Sequence, residues 1–389
     1  MRPRTLKILG VVALLALAAA WWLSRDGETA ARDPVGGKFL DGYREKINEI
    51  VKIEVDDGEE PLVVERRGTG WVDPRRGGYP VKTDEVKRLL VALNQLEKKE
   101  AKTSDPQLHG KLQLALEGDE ESRGKVLRVW AAGADAPGWE FVVGMPKWTP
   151  VRGIYLRRLN EDQCWFVTGE LQLPYAPTAW LDKEIANVNQ LDVARMTLVS
   201  GAVPFTIARP DSETPWTLAE MPAERTLKEP SPFNQLANSL GYLNFDDVAP
   251  ADDARFARDP DLTAEFECFN GAKLRLTGWK TDERLWARLE ASPPTAAPDQ
   301  PPPAPEDGQP EGPAEGPRGP SAATIAQWSA KWPGWVYLLP DWKAKSLTQG
   351  LEDWLEPLPS EEPPPEPGAE PAGEPAEEPA APGEGDDGE

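Results

Sequence analysis

The chain has 389 residues, 43 Lys plus Arg against 66 Asp plus Glu, a formal net charge of −23, 42 prolines, two cysteines and one histidine. That balance leaves no basic excess to neutralise phosphates, which argues against nucleic-acid binding, and too few His and Cys for a zinc site. The acidity is local: residues 360–389 hold 11 acids and no base, and residues 293–320 hold 11 prolines with a net charge of −4, so a collagen-like or wholly disordered chain is also excluded.

Ile8 to Leu23 (ILGVVALLALAAAWWL) is an uncharged run of sixteen residues, preceded by Arg2, Arg4 and Lys7 and followed by Arg25. As a helix it spans ~24 Å, and snorkelling of Lys7 and Arg25 makes up the difference from the ~30 Å hydrocarbon core. Trp21 and Trp22 lie where interfacial aromatics sit, and the leading positive charges place the N-terminus in the cytoplasm. The favoured reading is an uncleaved signal anchor over residues 1–25, with the bulk of the chain outside the membrane. The alternative is cleavage after Ala18-Ala19-Ala20 and a soluble exported chain; no Cys follows the apolar run, which excludes a lipid-modified Cys. Export permits oxidation of Cys164 and Cys268, but both lie in strand-like runs, and two separate core thiols are expected ahead of a disulfide.

Residues 26–45 read as a spacer and the start of a short helix, since Phe39, Leu40, Tyr43, Ile47 and Ile50 keep a helical spacing. Val51–Val55 alternates with period two, Gly58 marks a turn, and Pro61–Arg66 is the partner strand of a hairpin. Thr83 is expected to cap a helix running to about Glu97, and strands follow at 126–131, 139–144, 153–158 and 164–168. A further helix is expected over 232–243, strands over 264–269, 273–279, 285–291 and 335–339, and a helix over 342–355.

The text of the first hairpin recurs 143 residues later. Ile50, Ile53, Val55, Gly58, Pro61, Leu62, Val64 and Arg66 superpose without a gap on Val193, Met196, Leu198, Gly201, Pro204, Phe205, Ile207 and Arg209. Trp71 then meets Trp216, and Leu89, Leu93 and Leu96 meet Leu236, Leu240 and Leu243. Three blocks in the same order predict an α+β chain of two tandem duplicated units, each a mainly antiparallel sheet with a covering helix. The units are placed at 46–190 and 191–356, the second interrupted by a disordered Pro-rich insertion at 293–320, with a disordered acidic Pro/Glu-rich tail at 357–389.

Phe39-Leu40, the Ile53/Val55 strand, Trp71, Tyr79-Pro80-Val81, the Leu89–Leu96 helix, Thr103–Pro106, Val143-Gly144, Tyr155-x-Arg157 and Trp180-Leu181-Asp182 together resemble the bacterial family called domain of unknown function 4340. The resemblance covers roughly 39–290 and is best in the first unit. It implies an N-terminally anchored exported protein of the bacterial inner membrane, held through residues 8–23. Genes of such proteins often accompany an ABC transporter and an auxiliary component resembling gliding-motility proteins. The family has no established catalytic residues to carry over.

The residues themselves assign no catalytic, cofactor or metal site. His109 is the lone histidine and reads as a surface or helix-end residue, and no phosphate loop or zincin motif occurs. Asp56-Asp57, Glu59-Glu60, Asp119–Glu121, Asp246-Asp247 and Asp252-Asp253 read as turn carboxylates, with weak Ca²⁺ binding as the alternative. Arg66-Arg67, Arg75-Arg76 and Arg157-Arg158 read as the polar side of strands pairing with Glu, or alternatively as an anion or headgroup contact. Most tryptophans read as core, with Trp328, Trp332, Trp335 and Trp342 the best candidates for an exposed patch. The first functional expectation is a non-enzymatic accessory of an ABC-type transport or surface-motility complex, partnered by its permease or auxiliary subunits. The second is an envelope glycan or peptidoglycan binder in contact with the cell wall, and the third an exported carboxylate-dependent hydrolase.

Overall fold

The period-two runs become strands because alternate side chains can all reach one covered face. In β1 (Ile50–Asp56), Ile50, Ile53 and Val55 are buried while Lys52 and Glu54 are not. The computed structural model describes residues 35–294, except 202, 224 and 229–232, and residues 318–356. The expected anchor at 8–23, most of the Pro-rich insertion and the tail lie outside the described residues. Among the described residues no helix is long and apolar enough to cross a membrane.

Before β1 stands a single helical turn, α1 (Tyr43–Lys46). After it come β2 (Leu62–Arg67), β3 (Gly70–Asp73), β4 (Tyr79–Val81), α2 (Thr83–Gln95), β5 (Glu97–Ala101), β6 (Lys125–Ala131), β7 (Trp139–Lys147), β8 (Gly153–Arg158) and β9 (Cys164–Thr168). These nine strands form one antiparallel sheet in the order β4-β3-β2-β1-β6-β7-β8-β9-β5.

The second half opens with β10 (Glu184–Ala186), β11 (Val193–Ser200), β12 (Phe205–Ala208), β13 (Thr217–Leu218), α3 (Phe233–Ala237), β14 (Leu243–Asn244) and β15 (Asp247–Pro250). It closes with β16 (Leu262–Cys268), β17 (Lys273–Thr281), β18 (Arg284–Ser292), α4 (Ala322–Lys331), β19 (Trp335–Leu338), α5 (Asp341–Thr348) and α6 (Leu351–Trp354). Eight of its strands pair as β13-β12-β11-β16-β17-β18-β19-β15, and β10 pairs β14 separately. The fold is mixed α+β, mostly antiparallel, with few helices.

Without β4, the first sheet has the strand order of the second. Ile53 faces Val64 and Val129; Met196, 143 residues on, faces Ile207 and Phe266. Both central strands carry a register shift at the matching place, between Ile50 and Lys52 and between Val193 and Arg195. The two hairpin turns also match: Gly58 and Gly201 sit at φ of +90° and +92°, where a side chain would be strained.

The cores of the two halves are continuous. Tyr79 of β4 packs its ring against Phe245, Trp335 and Tyr337 of the second half, at centroid distances of 5.5, 5.0 and 6.4 Å. Arg76, five residues past Trp71, is buried beside them and bonds Asp73, Glu60 and, across the boundary, Asp247.

Several element boundaries differ from those expected. Thr83 is the first residue of α2 and not its cap; Lys82 holds the cap position without a side-chain bond. Glu97 opens β5, because pairing with β9 competes with another helical turn and wins. The helical spacing at 39–50 yields only α1 and a 3₁₀ turn, since Phe39 bonds backbone to backbone with Leu96 instead. The expected 232–243 helix stops at Ala237, continues as a 3₁₀ turn to Leu240 and releases Leu243 into β14. The 342–355 segment divides into α5 and α6 around Gly350.

Cys164 and Cys268 are two separate buried thiols, and burial raises them to about 11 and about 12. Neither is a nucleophile at neutral pH.

Lys343 of α5 is buried and has no carboxylate partner among the described residues. Its Nζ donates to the carbonyls of Asn238 and Gly241, both at 2.6 Å, closing the end of the 238–240 turn. Burial depresses it to about 8. The folded state therefore holds fewer protons than the unfolded chain between about pH 8 and the ordinary lysine range. The strain is fully present below pH 8 and is relieved as pH rises, so stability should rise by about 2 kcal/mol between pH 7.5 and 9.5. Urea unfolding at those two pH values checks this, and Lys343→Met should remove most of the difference.

Candidate functional site

Most charged groups singled out in the sequence are used inside the fold. The buried Arg157 donates to the carbonyls of Leu114, Leu159 and Glu161, and Arg158 reaches Asp41, Glu161 and the Phe39 carbonyl. Arg66 donates to Asn48 O at 2.9 Å, and its counterpart Arg209 donates to the Val193 and Gln190 carbonyls while lying over Trp216. Arg66 and Arg209 thus fasten their hairpins to the turns that precede them. Arg76 departs furthest from the strand-face expectation: it is a buried junction, held charged by Asp247 and Asp73 against the opposing effect of burial.

His109 is not on the surface. It is buried in the 3₁₀ turn 106–112, with Nε2 2.9 Å from the Asp162 carbonyl oxygen. Among the acids, Asp56 pairs with Arg128, Asp57 with Lys125, Asp246 with Arg284 and Asp253 with Arg255, and Asp119 closes its own turn on Ser122. Among the described residues no group of three or more His, Cys, Asp or Glu is arranged to hold a metal. The tryptophan patch does not form either. Trp328 and Trp332 are buried and stacked at 5.3 Å, Trp335 is half-buried against the core, and only Trp342 stands out, 63% exposed.

What the structure places together is a groove on the first sheet, about 760 Å³, that no sequence motif indicated. Its floor is the start of β6, the far end of β7 and Ile154 of β8. One wall is the loop 113–123 and the other the segment 171–175. The first wall lies flat on the sheet because Gly144 of β7 and Gly124, just before β6, lack side chains. A Cβ on Gly144 would come 2.2 Å from the Leu112 carbonyl oxygen, and one on Gly124 would come 2.4 Å from that of Gln113. Asp119 then turns this wall back, accepting from the Ser122 amide at 3.0 Å, so that Gly124 N reaches Ala115 O at 2.9 Å. The second wall is fixed from the floor: Lys125 Nζ donates to the Pro174 carbonyl at 3.1 Å and pairs with Asp57 at 3.5 Å.

Two aromatic side chains line the groove in the open. Trp148 is 63% exposed and Tyr175 is 82% exposed. Trp148 is positioned by Arg152, whose guanidinium carbon lies 5.0 Å from the ring centre and whose Nη1 is 3.2 Å from Glu170. Met145 and Val151, on the same β7–β8 hairpin, are exposed as well. The polar lining mixes Asp57, Glu59 and Glu120 with Arg123 and Lys125, plus the amides of Gln113 and Gln172. Such a surface presents stacking faces beside fixed donors and acceptors, the makings of a recognition site.

The family model described as domain of unknown function, DUF4340, matches residues 71–260. Over this span the chain is similar to the DUF4340 family. The match runs from β3 to just before β16 and contains every wall of the groove except the Asp57–Glu59 turn. Each sheet needs strands outside the DUF4340 match to be complete. No curated protein and no solved structure matches the chain.

Proposed function

We propose that this protein is a non-enzymatic accessory, anchored through residues 8–23, that displays its folded body outside the bacterial inner membrane and works within an ABC-type transport or surface-motility complex. The observation that carries the binding role is the division of side chains. Many of the charged residues singled out in the sequence, among them Asp57 and Asp246, and Asp73 beside them, are engaged in internal pairs, while the aromatic-lined groove is left open within the family domain. The transport or motility setting rests on the family resemblance. The matching strand orders and register shifts support reading the two halves as products of one duplication, each a unit of the exported body.

Crosslinking of the full chain in intact membranes, followed by identification of what is joined, tests the proposal. Recovery of a permease, its ATPase or an auxiliary subunit is the expected outcome. Recovery of none of these, from an organism whose neighbouring genes encode none, overturns it.

A further inference from the structure

We infer that the groove between the 113–123 and 171–175 walls binds a neutral or N-acetylated oligosaccharide. The inference goes beyond the accessory role and does not depend on it. Three features of the groove lead there.

The first is the pair of exposed rings. A pyranose presents a face of C–H bonds that packs on an aromatic plane, and Trp148 and Tyr175 offer such planes at the groove with little side-chain entropy to lose. Arg152 lies over the Trp148 ring and reaches Glu170, so one face of the indole is already in contact and the rest is open to a ligand. The second is the polar lining. Sugar hydroxyls both donate and accept; Glu59 and Glu120 accept, Arg123 donates, and Gln113 and Gln172 do both. A groove of about 760 Å³ suits a short chain of about two or three rings.

The third is charge, which decides between occupants. Three carboxylates against two cations leave the lining slightly negative. A polyanion is thereby disfavoured, including a uronate-rich glycan and the chain's own C-terminal segment, whose residues 360–389 carry 11 acids and no base. That segment is rich in proline and would otherwise fit an aromatic-lined groove. The balance of polar groups likewise disfavours a purely apolar helix.

The test is titration of the full chain in detergent with tetramers of glucose, N-acetylglucosamine and galacturonate, and with a peptide of residues 360–389. Saturable binding of a glucose or N-acetylglucosamine tetramer is expected. Trp148→Ala and Tyr175→Ala should each weaken it by about three- to tenfold, the worth of one aromatic contact. Both side chains are exposed, so the thermal midpoint should not move, and Trp342→Ala, outside the groove, should bind as the parent does. Absence of binding by both neutral tetramers, unchanged affinity in both groove variants, or tighter binding of the galacturonate tetramer or the peptide overturns the assignment. The crosslinks of the accessory complex should survive Trp148→Ala, so failure of one proposal is distinguishable from failure of the other.

Discussion

Arg76→Met is expected to destabilise the full chain by about 3–5 kcal/mol, read as a shift of the urea midpoint. Arg76 donates to Asp73 at 2.8 Å, to Glu60 at 3.0 Å and to Asp247 at 2.5 Å. The three acceptors differ in what they lose. Glu60 and Asp247 are partly solvated and regain water, whereas Asp73 is fully buried and keeps only the bond from the Arg75 amide at 2.9 Å. The cost is therefore chiefly that of an uncompensated carboxylate at Asp73. Asp73→Asn in the Arg76→Met background should then recover a substantial part of the loss, because it removes the stranded charge while keeping an acceptor for Arg75. Additive losses in the double variant would mean that the bridge to Asp247, and not Asp73, carries the energy. Asp247→Asn alone should cost about 1 kcal/mol, as for a half-solvated partner.

This junction also marks the limit of what could be read from residue order. The offset of 143 residues matches the structure position by position, down to the turn glycines and the register shifts, because period-two burial fixes register and a slip of one residue would turn Ile53 and Met196 outward. Strands β6 to β9 and β16 to β19 are legible for the same reason. The edge strands β5 and β15 are not: Glu97–Ala101 reads EKKEA, with neither alternation nor β-branched residues, and it pairs only because β9 offers an open edge. Helix α4 escapes as well, since its Ser321 cap directly follows the Pro-rich insertion and hides in that composition. Arg76 looks like one of several basic pairs, and its distant partner lies 171 residues away. The groove was missed for a related reason. Trp148 and Tyr175 are two aromatics among many, and what sets them apart is a setting beside turn prolines, Thr149-Pro150 and Pro174, outside any alternating run. Gly144 was visible, but only the structure shows the Leu112 carbonyl it makes room for.

Trp332→Ala should be comparably costly, about 3–5 kcal/mol, for a different reason. Trp332 caps the C-terminal end of α4 and is 1% exposed, stacked on Trp328, with Nε1 donating to the Ile185 carbonyl at 2.9 Å. Its neighbour Lys331 bonds Asp182 at 2.6 Å and the Glu184 carbonyl at 2.5 Å. The pair thus ties α4 to Asp182 and to Glu184 and Ile185 of β10, the first strand after the first sheet. Truncating the indole opens a large cavity and strands a buried carbonyl, and both effects add. Trp332→Phe keeps most of the volume and should lose only the hydrogen bond and part of the packing, about 1–2 kcal/mol. Lys331→Met removes a pair whose lysine is partly exposed and whose aspartate is solvated, and should cost under about 1 kcal/mol. Because the core is continuous from Tyr79 to Trp332, the Trp332→Ala chain should still unfold in one transition at lower urea. Early proteolysis confined to residues 318–331, with the sheets still protected, would instead make α4 a locally docked element and sink the prediction.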